Sequence, residues 1–395
     1  MSDELLFVAH RIPFPPDRGD KLRSFHVLKR LAEAARVHLL TFVDRPADRA
    51  HLAGLQDVLG KRLLSGRVEV RRGLAASGLN ALATGRPASV AAFGHSGLAT
   101  NARDLLTGRR VAAAYAFSGQ SAALIPPEHL ARTTVDFVDV DSAKFEAYAA
   151  ARTGPAAFAH RQEAKRLARF EAGIAAGAKH SLFVSEAEAA LFTERTGLTQ
   201  PRVRVVENGV DLDRFAPLPP ARGEPLIVFT GQMNYPPNVE AAVHFAHNVL
   251  PRVRRAEPAA RFAIVGRAPT PAVQALAGEG VEVTGEVPDV RPWLERARVV
   301  VAPLLTARGV QNKVLEAMAS ARAVVSSPAA YEGIDAVPGE EILLAADPFA
   351  FATSCLLLLR EPELAESVGR AARARTEARY SWESQLRDLP ALVLP

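Results

Sequence analysis

The 395-residue chain holds one cysteine, Cys355. A disulfide framework and a cysteine-built zinc site are both excluded by that scarcity. Aromatic residues make up only 6% and are not interleaved with the basic ones, which argues against nucleic acid as a partner. The longest apolar stretches, such as 355–359, fall far short of the roughly 20 residues a membrane helix needs. The chain opens Met-Ser-Asp-Glu, with acids where a secretory signal carries bases. It has no G-x-G-x-x-G, so a dinucleotide site is not expected. No Ser-His-Asp or H-x-x-x-H spacing occurs, and no repeat of 20–50 residues. These absences predict a cytoplasmic protein.

What is present is ordinary for a folded protein: 48% hydrophobic and 23% charged residues, enough for two cores at a length that favours two domains. The charge is uneven. Residues 1–212 carry a net +7 and residues 213–395 a net −2, so the first part can attract an anionic lipid surface or a phosphorylated substrate. With 41 arginines against seven lysines, a compositional bias explains part of that excess equally well.

Short Val/Leu/Ala runs alternate with helical patterns along the whole chain. They fall at 5–9, 37–43, 68–71, 112–117, 135–140, 181–184 and 203–206. A second series runs through 226–230, 262–265, 281–284, 299–303, 323–326 and 342–344. Continuous apolar runs separated by helices indicate parallel strands buried on both faces, in doubly wound α/β layers. Between the two series, Pro217, Pro219 and Pro220 stiffen a connection. We therefore expect an N-terminal domain at 1–212, a second at 213–378, and a last helix at 379–395.

Three segments stand out. The first is His10-Arg-Ile-Pro-Phe-Pro-Pro-Asp-Arg18-Gly19-Asp-Lys21-Leu-Arg23, between the first strand and the first helix. Gly19 allows close approach at a helix N-terminus that favours an anion, and Arg18, Lys21 and Arg23 add positive charge. The second is Asp136-Phe-Val-Asp139-Val-Asp141-Ser-Ala-Lys144. Strand alternation puts Asp139 and Asp141 on one face, where they can act as base or orient a hydroxyl. Lys144 and Ser142 can equally make that cluster a structural network. No histidine or further acid stands at ligand spacing, so no metal is expected.

The third segment is the most specific: Arg308-Gly309-Val310-Gln311-Asn312-Lys313-Val-Leu-Glu316-Ala-Met-Ala. A loop glycine precedes a helix whose first amides, at Val310, Gln311 and Asn312, would point at a phosphate. Glu316 follows on the face of Asn312 and Lys313, placed to accept both hydroxyls of a ribose on that phosphate. Gly231, Gly266 with Arg267, and Gly285 with Val287 end neighbouring strands. Arg267 suits a phosphate, and backbone groups at Val287 suit a base edge.

In this order of motifs, with Glu207-Asn208-Gly209-Val210-Asp211 at the junction, the chain resembles GT-B glycosyltransferases of the GT4 type over essentially its whole length. The strings at 10–21 and 136–144 resemble, more narrowly, a subgroup linked to bacterial exopolysaccharide systems that accompany PEP-CTERM protein sorting, the sorting served by exosortases. The resemblance implies two facing Rossmann-like domains, a C-terminal helix crossing back to the first, and retaining transfer from a nucleotide-diphosphate sugar without a metal. Donor contacts then fall to Gly19, Lys21, Gly231, Arg267, Val287, Gly309, Val310, Gln311, Asn312, Lys313 and Glu316. Acceptor contacts fall to His10, Arg18 and Lys144, with Asp139 and Asp141 as catalytic residues. The acceptor would be a glycan or a lipid-linked acceptor, and the positive charge of the first domain, independently of the resemblance, allows peripheral membrane contact. Arg308 stands where the family has its first glutamate, and Gln232 to Pro237 replace an Arg-x-x-x-x-Lys pair. Two alternatives remain at this point: a sugar-nucleotide 2-epimerase, and a non-catalytic protein that binds an anionic polymer or membrane.

Overall fold

The computed structural model describes residues 3–395 except 17–18, 72, 74–76, 79–80, 82–83, 109, 151 and 308–309. The chain divides into two units. One comprises Met1–Asn208 with Gln385–Pro395, and the other Gly209–Ser384.

The first unit is built on seven strands: β1 (Glu4–Ala9), β2 (Arg36–Val43), β3 (Leu63–Val70), β4 (Val111–Phe117), β5 (Thr133–Val138), β6 (His180–Phe183) and β7 (Val203–Val205). They pair in the order β3-β2-β1-β4-β5-β6-β7, all parallel. Every residue of β1 is buried, as its unbroken apolar run requires of a central parallel strand. β3 begins five residues earlier than its apolar run suggests. Its first half, Leu63-Leu-Ser-Gly-Arg67, exposes alternate residues, the pattern of an edge strand that continuous-run reasoning misses.

The second unit has six strands: β8 (Leu226–Thr230), β9 (Arg261–Val265), β10 (Val281–Gly285), β11 (Val299–Ala302), β12 (Val324–Ser326) and β13 (Leu343–Leu344). Their order is β10-β9-β8-β11-β12-β13, again parallel throughout. β8 and β11 are fully buried and lie at the centre of one apolar core. Each sheet therefore reverses its winding once, between β1 and β4 in the first unit and between β8 and β11 in the second. Such switch points leave a crevice at the C-terminal strand ends, where doubly wound proteins bind ligands.

Helices cover both sheets. Those that matter for the sites are α1 (Gly19–Ala34), α2 (Asp141–Ala150), α3 (Gly154–Gly177), α4 (Asn312–Ala319), α5 (Pro362–Arg379), α6 (Trp382–Gln385) and α7 (Leu389–Val393). Among the described residues, no helix is long and apolar enough to cross a membrane.

The unit boundaries differ from the expected 212/213 and 378/379. Val210 donates to the Tyr380 carbonyl at 2.7 Å and bridges Ser381. The backbone of Trp382 crowds Gly209 so closely that a side chain there would clash. These contacts draw 209–212 and 379–384 into the second unit. The last eleven residues belong to the first. Arg30 on α1 donates to the carbonyls of Leu386 and Arg387 at 3.2 and 3.0 Å, and Lys179 donates to those of Val393 and Leu394.

Candidate functional site

In the second unit, two glycines bring the strand ends unusually close. Gly231 follows β8 and donates to the Val265 carbonyl at 3.0 Å. Gly266, after β9, has φ +151°, and a Cβ there would run into the Gly231 carbonyl oxygen. A Cβ on Gly231 would in turn lie 2.8 Å from the Asn238 amide and 3.3 Å from the Lys313 ammonium. Glycine at both positions thus lets polar groups stand directly over the end of the central strand.

Lys313 comes from the first turn of α4. This helix buries Val314, Leu315, Ala317, Met318 and Ala319, so its apolar face docks on the sheet and its other face turns to the crevice. The Lys313 ammonium donates to Asn238 Oδ1 and sits 4.8 Å over the Phe229 ring. Asn238, itself buried, donates to the Gln232 carbonyl at 3.0 Å. Burial pushes the Lys313 ammonium down to about 8, against the opposing pull of Glu316.

Glu316 lies one turn further along α4. It is partly exposed but crowded by protein atoms, and burial pushes its carboxyl up to about 7 although Arg214 and Lys313 pull it down. It is not a solvated first-turn acid. Among the described residues its carboxylate accepts no hydrogen bond, whereas the buried Glu171 of α3 accepts two from Ser142, at 3.0 and 2.6 Å. A desolvated carboxylate and a desolvated ammonium therefore share one switch-point crevice, and neither neutralises the other by direct contact.

Val310, Gln311, Asn312, Arg267 and Val287 are the other described positions of this unit expected to meet a donor. Helix α4 opens at Asn312 with Gln311 as its N-cap, so the amides at its mouth are those of Asn312 and Lys313. Val310 precedes the helix and packs against the core, which corrects its placement in the first turn. Arg267 is at the same strand ends, donating to Gln232 Oε1 at 3.2 Å. Val287 is half-buried against the core beyond β10. Gly309 and Arg308 lie outside the described residues.

The first unit shows a different arrangement. His10, after β1, stacks on Phe117 at the end of β4, ring centroids 5.8 Å apart, and so spans the switch point. Its Nε2 is 3.4 Å from Asp20, and Arg11 holds the same carboxylate at 2.5 Å. Burial alone would raise Asp20, but bonds from His10 and Arg11 hold it well below the usual carboxylate range. The mouth of α1 thus carries an acid of its own beside Gly19. Lys21 is buried, and Arg18 lies outside the described residues.

Arg23 does not contribute charge to that loop. It is 2% exposed and binds the fully buried Asp136 through two bonds, at 2.9 and 3.2 Å. Tyr115 donates to the same carboxylate at 2.7 Å, and Arg23 also reaches Asn208 at 3.0 Å. This network, missed from sequence, ties α1 to β5 and to the end of the unit. The available signal was Asp136 itself: a carboxylate between Val135 and Phe137 in a central strand must have a partner.

Asp139 and Asp141 are not on one face of a strand. Val138 takes φ +71°, rare for a β-branched residue, and ends β5 there. Asp139 lies in the bend that follows, and Asp141 opens α2. The two still converge, because Lys144 donates to Asp139 at 2.7 Å and to Asp141 at 3.3 Å. Gln120 donates to the other oxygen of Asp141 at 2.7 Å. Ser118, at the end of β4, also has positive φ, at 74°, so both strand ends beside this cluster hold sparsely populated backbone.

Residues 224–361 match the family model described as glycosyl transferases group 1. A curated relative, the lipopolysaccharide core biosynthesis mannosyltransferase LpcC of Rhizobium leguminosarum bv. viciae, is 27% identical over 206 residues. That match takes in 48% of this chain and 58% of the relative, so less than two thirds of the mannosyltransferase is represented. Among solved structures, Anabaena HepE in complex with UDP superimposes with a TM-score of 0.63 at 12% identity, over 98% of each chain. Sucrose-phosphate synthase from Thermosynechococcus elongatus does so with 0.64 at 18%, over 99% of this chain and 98% of that one. The chain therefore has the GT-B fold, and residues 224–361 of its second unit carry the sequence pattern of the group 1 glycosyl transferases.

Proposed function

We propose that this chain is a glycosyltransferase that moves a sugar from a nucleotide-diphosphate sugar to a glycan or lipid-linked acceptor. The observation that carries the reading is the Lys313–Glu316 pair, desolvated at the switch point of the second unit. A ribose would supply the hydrogen bonds that Glu316 lacks. A diphosphate would meet the Lys313 ammonium and the amides of Asn312 and Lys313 at the mouth of α4. As the sugar–phosphate bond breaks, charge grows on the departing diphosphate, and these fixed donors offset it without rearranging. The reaction so drawn uses no metal. Lys313 takes the part of the missing Arg-x-x-x-x-Lys pair, since its ammonium stands beside Gly231.

The group 1 match and the mannosyltransferase relative support sugar transfer into an envelope polysaccharide. UDP in the HepE structure makes a uridine donor the first to test. The resemblance to the GT4 type favours retaining transfer, and the motifs at 10–21 and 136–144 favour bacterial exopolysaccharide assembly, with the PEP-CTERM-associated subgroup as the narrower assignment. In the first unit, Asp139 and Asp141 would orient the acceptor hydroxyl or stabilise positive charge on the sugar ring. His10 and Lys144 would complete the acceptor site. We place the reaction on the cytoplasmic side of the membrane.

The test is turnover of UDP-, GDP-, ADP- and dTDP-sugars by the wild type and Glu316→Ala, followed by NMR with and without acceptor. Transfer that requires acceptor and is lost in the variant supports the reading. Unchanged kinetics in Glu316→Ala would overturn the donor site, and interconversion of the donor alone would make the chain an epimerase.

A further inference from the structure

The first unit carries an unpartnered surface that the donor chemistry does not use. On α3, Phe158, Arg161, Lys165 and Arg169 recur at i, i+3, i+7 and i+11, which places them in one stripe along the helix. Phe158 is 63% exposed, and the three cations are all exposed. Among the described residues, none of the three has an ion-pair or hydrogen-bond partner. Further along the same side the residues are small, at Ala172, Gly173 and Ala176, so nothing bulky interrupts the stripe.

The carboxylates of α3 are directed elsewhere. Glu163 accepts bonds from Ala88, from the Ser89 amide and from the Ser89 hydroxyl. Glu171 is buried against Ser142. On the neighbouring helix α2, Glu146 is taken by Arg195 at 2.6 and 2.8 Å. At the start of the stripe stands a small aromatic group. Tyr148 is 51% exposed and meets Phe145 at 5.7 Å and His160 at 5.9 Å between ring centroids.

We propose that this face of α3, with the tip of α2, docks the protein on an anionic lipid surface. Three unpaired cations along one helical face complement acidic headgroups, each contributing on the order of 1 kcal/mol when close to them. A phenylalanine held out in water at the same end gains free energy only by entering an apolar phase. A soluble polyanion would satisfy the arginines and the lysine but would give Phe158 nothing. The combination therefore selects a lipid surface over a free polymer. Such docking would hold the first unit beside a lipid-linked acceptor.

The experiment is co-sedimentation of the full chain with phosphatidylcholine vesicles, with and without a quarter phosphatidylglycerol. The variants are Phe158→Ser and the triple Arg161→Glu/Lys165→Glu/Arg169→Glu, each checked by circular dichroism and thermal melting to share the wild-type fold. We expect binding to the anionic vesicles only. It should weaken by roughly a hundredfold in the triple variant and by about tenfold in Phe158→Ser. No binding by the wild type, or equal binding by the variants, overturns the proposal. So does polyphosphate binding that the triple abolishes while Phe158→Ser leaves vesicle binding unchanged. Vesicle binding does not depend on donor turnover, so its failure would leave the glycosyl-transfer reading untouched.

Discussion

The two units place charged residues at equivalent points, the C-terminal ends of central parallel strands, and treat them in opposite ways. In the first unit the carboxylates are matched. Asp136 is clasped by Arg23 and Tyr115, Asp20 by His10 and Arg11, and Asp139 and Asp141 by Lys144. In the second, Glu316 accepts no hydrogen bond among the described residues; burial drives its carboxyl up to about 7, as it does that of Glu171 in the first unit, but Glu171 has its bonds from Ser142. In a protein that pairs its carboxylates in the other unit, we take the unmatched Glu316 as the mark of the proposed donor site. The contrast teaches that sequence motif and charge do not identify the site by themselves. On the proposed reading, the state of satisfaction singles it out.

The comparison can be broken most forcefully at Asp136. Replacing it with Asn leaves Arg23 buried without its counter-charge, a change that costs about 3–5 kcal/mol. Chemical denaturation should show that loss while the folded fraction still binds nucleotide; a small cost would mean that the network is not structural. Glu316→Ala should do the reverse. We expect donor affinity to fall at least roughly a hundredfold, on the scale of a lost charged hydrogen-bonding group, with the melting temperature maintained.

Glu316→Gln sharpens the point through stability. A carboxyl whose folded pKa lies above its unfolded value favours folding below the unfolded value, and that support is lost as pH rises through the folded one. For Glu316 the window runs from the ordinary 4.5 to about 7. The ligand-free Gln variant should therefore be more stable than wild type by about 1–3 kcal/mol at pH 8. The gain should fade towards pH 4.5, as thermal melts across that range would report. Lys313→Gln should weaken nucleoside-diphosphate binding by about tenfold in titration calorimetry. The smallest stability effect belongs to Asp139→Asn and Asp141→Asn. Their bonds to Lys144 are partly exposed, and such pairs contribute about 0–1 kcal/mol. If these carboxylates orient the acceptor, kcat should drop in either variant with no matching change in melting temperature.

Much of the fold was legible because both sheets are parallel and covered on both faces. β1, β8 and β11 read as unbroken apolar runs for that reason. The first half of β3 did not, since an edge strand alternates. The turn that separates Asp139 from β5 hinges on a positive φ at Val138, which a β-branched residue gives no reason to expect. The expected boundary at 212/213 lies ahead of the prolines, whereas the pairing of Val210 with Tyr380 and Ser381 ties 209–212 to the second unit, and no local pattern announces such a pairing. At the candidate site, Lys313 and Glu316 were legible as a helix opening after a strand. Arg23 was misread because its partner lies 113 residues away. The bond from Lys313 to Asn238 was likewise invisible, depending on two glycines that let strand ends touch.

The most direct test of the central claim is calorimetric titration of UDP, GDP, ADP and dTDP into wild type and Glu316→Ala from pH 6 to 9. Glu316 must be ionised to accept a ribose, and Lys313 must be protonated to meet a diphosphate. Affinity for the preferred nucleotide should therefore be greatest between about 7 and 8, falling on the acid side as Glu316 protonates and on the basic side as Lys313 loses its proton. The variant should bind far more weakly and lack the acid limb. Equal affinity in the two proteins, or an acid limb that survives in Glu316→Ala, would contradict the assignment of Glu316 to the nucleotide.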